Sequence, residues 1–174
     1  MHRAPSNRSA TRRSLLAGSL TFAMGLGAAA LLPTMAIAQP SAPLVEVWKS
    51  PTCGCCEDWI KHLETNGFRV RTHDKGNVAM RKELGMPENF GSCHTAKVAG
   101  YVIEGHVPAK EIHRLLKEKP KALGLSVPEM PIGTPGMDGP EYGGQIDPYN
   151  VLLVQRNGSA TVYQAYTATK SPKR

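Results

Sequence analysis

Leu44-Val45-Glu46-Val47-Trp48-Lys49-Ser50-Pro51-Thr52-Cys53-Gly54-Cys55-Cys56 decides how the rest of the chain is read. Residues 44–48 alternate as a short strand does, and Ser50-Pro51-Thr52 ends the run with turn formers. Three cysteines follow within four positions. From about Gly54 to Asn66, Cys56, Trp59, Ile60 and Leu63 recur at helical spacing, and Glu57 and Asp58 suit the first turn, where acids meet the free amides. The cysteines therefore sit where a strand feeds a helix. The unpaired N–H groups and positive end of a helix stabilise an anion, so a thiolate forms there more readily than in water.

Reading on from this junction, Gly67 closes the helix and residues 68–73 alternate strictly, as a half-buried strand would. Residues 77–84 read as a short helix capped by Asn77 and stopped by Gly85 and Pro87. After a loop over residues 87–94, Thr95–Val98 and Tyr101–Ile103 flank Ala99-Gly100 as a hairpin or one bent strand. Pro108 opens a third helix whose buried stripe is Ile112, Leu115 and Leu116. Residues 124–148 are rich in Gly and Pro and are expected to form a long loop without regular structure, a feature usually functional or disordered. Residues 149–155 and 161–166 surround Asn157-Gly158, a strong hairpin signal. Strand, cysteine loop, helix, strand, helix, hairpin, helix is a thioredoxin-like order. The expectation is a single thioredoxin-like α/β domain over residues 39–174, with a partly parallel sheet covered by helices and a C-terminal β-hairpin.

Before the decisive stretch, residues 1–38 read as a cleavable signal peptide. Met1 to Arg13 is polar and positive, Leu15 to Leu32 is uncharged and mostly apolar, and Pro33 breaks the run ahead of Ala36-Ile37-Ala38, a small-x-small cleavage pattern. Gly18, Gly25 and Gly27 dilute the apolar run, and no polar stop-transfer cluster follows it, which argues against a membrane anchor. Thr11-Arg12-Arg13-Ser14-Leu15-Leu16 resembles a twin-arginine export motif, with Leu15 where Phe is usual. The mature chain is expected to begin at Gln39 and to work in the periplasm, where thiols face oxidation.

Composition narrows the function. The chain has 174 residues, 41% hydrophobic and 20% charged, which suits one globular domain and excludes a fibre or a disordered tail. Its formal charge of +7 points to nucleic acid only on a first look. Arg3, Arg8, Arg12 and Arg13 fall in the export segment and Lys170, Lys173 and Arg174 in the last five residues, and the body between them balances 14 bases against 14 acids. No basic patch remains, so neither nucleic acid nor, after signal cleavage, a membrane is an expected partner. No Gly-rich phosphate loop, H-E-x-x-H or nucleophile elbow is present.

The chemistry rests on Cys53, Cys55, Cys56 and Cys93. A pair of structural disulfides is one reading, but staples usually spread their cysteines to tie distant loops, and a bridge between adjacent residues is strained. A second reading is a thiol–disulfide oxidoreductase using the C-x-x-C pair Cys53 and Cys56. Cys55 is then an extra thiol inside the motif, able to scramble the disulfide by exchange. Cys93-His94-Thr95 also lacks the proline such enzymes place before the third core strand. The third reading is a thiolate metal site, closed when Cys93 approaches the trio at the helix start. Zinc sites usually offer two separated C-x₂-C pairs, and only one is here. Soft thiolates select Cu(I), zinc or iron–sulfur centres, and copper fits better for an electrostatic reason. Four thiolates around one Cu(I) leave about three uncompensated negative charges, which are costly where water is limited. Sharing sulfurs among several Cu(I) ions removes that excess, and adjacent Cys55 and Cys56 suit bridging.

Val47 to Cys56, followed by Trp59 and His62, resembles the CopG-like family of small exported proteins associated with copper resistance, long catalogued as a domain of unknown function. The resemblance continues through Ser92-Cys93-His94-Thr95, Gly100 to Pro108, Val127-Pro128-Glu129-Met130-Pro131 and Gly133-Thr134-Pro135-Gly136-Met137. It implies a thioredoxin-like fold and a periplasmic copper site whose ligands are Cys53, Cys55, Cys56 and Cys93. The expected partners are copper ions and other periplasmic copper-resistance proteins.

Around this set, His94 is a candidate ligand or proton-linked gate, or else a solvent-exposed loop histidine. His106 is expected to bond to backbone, while His62, His73 and His113 are expected to be solvated or on the polar phase of their elements. Met130 and Met137 lie in the Gly/Pro-rich loop, and their soft thioethers are candidates to cover the site or pass copper to it, though packing is their commoner use. Met80 and Met86 read as packing. Trp48 and Trp59 flank the cysteines as an expected apolar wall.

Overall fold

The computed structural model describes residues 41–168. The signal peptide expected over residues 1–38 and the mature start at Gln39 lie outside the described residues. Among the described residues, seven strands form one mixed sheet in the order β2-β1-β3-β4-β5-β6-β7. They are β1 (Leu44–Lys49), β2 (Arg69–His73), β3 (His94–Val98), β4 (Tyr101–Glu104), β5 (Gly124–Ser126), β6 (Tyr149–Val154) and β7 (Ala160–Tyr166). Three α-helices accompany them among the described residues: α1 (Gly54–Thr65), α2 (Val78–Glu83) and α3 (Ala109–Glu118). β1 runs parallel to β2 and β4 parallel to β5, and every other neighbour pair is antiparallel.

Sequence pattern becomes packing directly. Alternate residues Val45, Val47 and Lys49 of β1 are buried, and α1 buries Cys56, Trp59, Ile60 and Leu63 along one stripe. α1 ends as Gly67 predicts. Gly67 takes φ +85°, its N–H donates to the Glu64 carbonyl at 3.1 Å, and the Phe68 N–H donates to the Leu63 carbonyl at 3.1 Å. That pair of bonds satisfies carbonyls the helix itself leaves free. The main core joins Val45, Val47, Trp59, Leu63, Ile103, Ile112, Leu115 and Leu125. A second cluster gathers Met86, Val102, Leu123 and Val154. Val102 and Ile103 are neighbours on one strand and belong to different clusters, so both faces of the sheet are covered.

Two expectations need correction, and one open alternative is settled. The segment over residues 124–148 begins with β5, which pairs with β4 and β6, and contains a 3-10 turn at Pro140–Tyr142. A strand of three residues that are all buried shows no alternation in sequence, which hides it. A Cβ on Gly124 would lie 1.7 Å from the Val102 carbonyl oxygen, so glycine is what lets β5 dock against β4. Asn77 stands at the N-cap of α2 without a capping side-chain bond. Its amide instead donates to the Ser92 carbonyl at 3.0 Å and to Thr95 Oγ1 at 3.3 Å. Residues 94–104 resolve to a hairpin, turned by Ala99 at φ 45° and Gly100 at φ 87°, the positive-φ pair a tight two-residue turn requires.

Candidate metal centre

The site is built where the C-terminal end of β1 meets the start of β3. Register pairs Lys49 with His94, so the cysteine turn after β1 and the residue before β3 emerge side by side. Cys53 is the N-cap of α1, with its N–H donating to the Ser50 carbonyl at 3.2 Å, and Cys55 and Cys56 occupy the first helical turn. Cys93 arrives from 37 positions downstream of Cys56, with the two Sγ atoms 3.5 Å apart. Cys53 Sγ and Cys55 Sγ are 3.6 Å apart. The four Sγ atoms all lie within 4.8 Å of one another.

Cys53 and Cys56 are joined as a disulfide, and Cys55 and Cys93 are free thiols. The structure thus holds the oxidised form of the C-x-x-C pair, and two-electron reduction of that bond yields four thiols on the same scaffold. Cys56 is fully buried, whereas Cys53, Cys55 and Cys93 are half-buried. Burial, followed by the charge of neighbouring Cys55, pushes the Cys93 thiol up to about 12. A metal ion at Cys93 would therefore displace a proton and supply the positive charge the pocket lacks.

Two histidines complete the arrangement. His94 is fully buried, not exposed in a loop, because it is the first residue of β3. Its Nδ1 lies 3.3 Å from Cys93 Sγ, its ring is 4.2 Å from the Trp59 ring, and its Nε2 is buried without a hydrogen-bond partner. His106 does bond to backbone as expected, through Nδ1 to the Pro135 carbonyl oxygen at 2.8 Å. That bond requires the proton on Nδ1 and leaves the Nε2 lone pair facing Cys93 Sγ at 3.0 Å. Cys93, His94 and His106 form a second donor group within 4.8 Å. Burial lowers the pKa of both imidazoles, which keeps them neutral and ready to donate a lone pair.

The approach of His106 to Cys93 was missed from sequence, yet a signal existed. The hairpin pairs Thr95 with Glu104, and the same register continued outward sets His94 beside Gly105 and Cys93 beside His106. The Gly105 N–H indeed donates to the His94 carbonyl at 3.0 Å.

The Gly/Pro-rich loop closes over the site. Gly136 has φ +87°, and a Cβ there would lie 2.5 Å from the Cys55 carbonyl oxygen, 2.8 Å from Trp59 N and 3.3 Å from His106 Nδ1. Next to it Met137 is half-buried and its sulfur accepts from the Tyr142 hydroxyl at 3.5 Å. Met130 is 47% exposed, with its neighbour Glu129 accepting from the Ser92 hydroxyl. Of the two tryptophans, Trp59 is fully buried against His94 and walls the site, while Trp48 stacks on His73. His62 is half-buried and accepts the Ala109 N–H at 3.0 Å, tying α1 to the start of α3, and His113 is exposed and donates to the Asn66 carbonyl at 2.8 Å. Thiolates and neutral imidazoles together make a soft donor set, which suits Cu(I) and zinc better than hard cations.

Comparison with known proteins finds relatives of two kinds, a sequence family and solved structures. A family model described as "Protein of unknown function, DUF411" matches residues 90–137, the stretch that carries Cys93, His94, His106 and Gly136. No curated protein matches the chain. A solved structure of copper resistance protein CopG, form 2, is 43% identical, with a TM-score of 0.67 over 72% of this chain and 98% of that one. Form 1 of the same protein is 42% identical with the same TM-score and coverage.

Proposed function

The chain belongs to the family of copper resistance protein CopG, and from that premise we propose that it holds Cu(I), as a cluster of several ions, on Cys53, Cys55, Cys56 and Cys93 for copper resistance or homeostasis. The observation that carries this reading is the convergence of four sulfurs from two distant segments within 4.8 Å. Bridging thiolates shared among several Cu(I) ions limit the excess negative charge a single ion would leave. His94 and His106 add neutral donors beside Cys93 and so extend the ligand set without adding charge. Met130 and Met137 remain candidate outer sulfur donors, Met137 the better placed because it adjoins Gly136 on the covering loop.

We assign residues 39–174 to one thioredoxin-like domain. That assignment is supported by the strand order β2-β1-β3-β4 with β3 antiparallel to its neighbours and by cysteines at the β1–α1 junction. We place the protein in the periplasm, its Arg12-Arg13 leader removed before Gln39, on the sequence of residues 1–38. Among the described residues no helix is long and apolar enough to cross a membrane.

A second reading, a thiol–disulfide oxidoreductase, is favoured by the Cys53–Cys56 disulfide. Anaerobic titration of the reduced chain with Cu(I) against a chromophoric chelator separates the two. The copper reading expects saturation above one equivalent and a marked loss of affinity in Cys55→Ser and in Cys93→Ser. The oxidoreductase reading expects both variants to keep their disulfide chemistry and the wild type to show no tight copper.

A further inference from the structure

A buried polar network outside the ligand set converges on one residue, Ser92, immediately before Cys93, and holds the peptide groups on both sides of it. Glu104 of β4 is fully buried. Its Oε1 accepts from Arg81 Nε at 3.0 Å and from the Ser92 N–H at 2.8 Å, and its Oε2 accepts from Thr95 Oγ1 at 2.6 Å. Arg81 of α2 uses its second nitrogen, Nη2, to donate to the Ser92 carbonyl at 2.7 Å. Asn77 donates to the same carbonyl at 3.0 Å. Both the N–H and the C=O of Ser92 are thus held by side chains from two other elements.

A guanidinium fork is suited to such a task, since its donors lie in one rigid plane and reach a carboxylate and a carbonyl together. The surroundings leave little slack. A Cβ on Gly91 would lie 2.5 Å from Arg81 Nη1, and one on Gly105 would lie 2.6 Å from Ser92 Oγ. Arg81 is 13% exposed and Glu104 not at all. A buried ion pair of this kind is a poor source of net stability, because desolvation offsets its attraction. What it does supply is a fixed orientation for the two peptide planes at Ser92, the second of which, held through the Ser92 carbonyl, leads into Cys93.

We propose that Glu104, Arg81 and Asn77 are positioning residues for Cys93, holding the two peptide groups that flank Ser92 so that the Cys93 sulfur meets Cys56 and His106. The inference rests on the copper-binding reading of the site. It explains why α2, a helix of six residues that itself buries none of them, carries a polar reach into the centre. Two of its bonds, from Arg81 Nη2 and from Asn77 at its N-cap, end on the Ser92 carbonyl beside Cys93 and leave the first turn of α1 to the cysteine trio.

The test is Arg81→Met, with Arg81→Lys as the milder variant should the first fail to fold, each made in the wild-type and in the Cys93→Ser background. Anaerobic Cu(I) competition should show a loss of about 10–100-fold where Cys93 is present, the scale of residues that orient ligands, and little further loss where it is absent. In the reduced, metal-free protein, alkylation by iodoacetamide followed by peptide mass mapping should speed up at Cys93 and stay unchanged at Cys55. An equal loss of copper affinity in both backgrounds, or an unchanged Cys93 alkylation rate, overturns the proposal. A wild type that binds no Cu(I) defeats the copper reading instead, and the alkylation rates still decide whether the network positions Cys93.

Discussion

His94 and His106 show how far a residue's role depends on neighbours that are remote in sequence. Each imidazole is held below its ordinary pKa of 6.5 chiefly by burial, and His94 also by the proximity of His106. In the unfolded chain both take up a proton near 6.5, whereas in the folded chain they stay neutral to lower pH. The unfolded state therefore binds more protons below that value, so stability is full above it and is lost as pH falls through the depressed folded pKa values. For the reduced, metal-free protein, denaturant midpoints measured from pH 8 down to pH 5 should drop on the acid side, with the ends of that range set by histidine titration. His94→Asn should flatten the drop, and an equally steep fall in that variant would contradict the assignment. The four cysteines were legible at this scale because adjacent thiols are rare and chemically specific. His106 was not, because its nearness to Cys93 comes from the β3–β4 register and not from its own neighbours in sequence.

At the scale of elements, what sequence conveys well is periodicity, and what it conveys poorly is closure. β1 and α1 follow their patterns because each buries a regular stripe, and the β6–β7 hairpin follows its Asn157-Gly158 turn signal. β5 and the covering loop carry no stripe, since their conformation is set by what they touch. Gly136 is the clearest case, with backbone of the cysteine turn and of Trp59 where a side chain would go. Gly136→Ala should cost about 1–3 kcal/mol by overpacking, aggravated by its positive φ. Because the loop closes the site, the same change should also speed copper release, measured as transfer of bound Cu(I) to excess chelator. Unchanged stability together with unchanged release would show that this loop does not cover the centre. Asn77 makes the complementary point. Its type suits an N-cap, but two acceptors near β3 draw its amide away from α2, a tertiary preference that local rules do not contain.

Across the whole molecule, the sheet brings two cysteine-bearing segments to one edge of the core, and the hairpin brings the histidines with them. The oxidised pair Cys53–Cys56 and the free pair Cys55 and Cys93 share that place, so disulfide formation and metal binding compete for the same sulfurs, and reduction of the disulfide must precede four-thiolate binding. The neutral charge balance of the body fits a protein whose cargo is a small cation held by soft donors and not a polyanion held by surface charge. Copper K-edge X-ray absorption on the reduced, anaerobically loaded chain addresses the central claim most directly. The account predicts Cu(I) with a first shell dominated by sulfur, together with a short copper–copper scattering path that disappears in Cys93→Ser. A single copper in a shell of nitrogen or oxygen with no copper–copper path would contradict it.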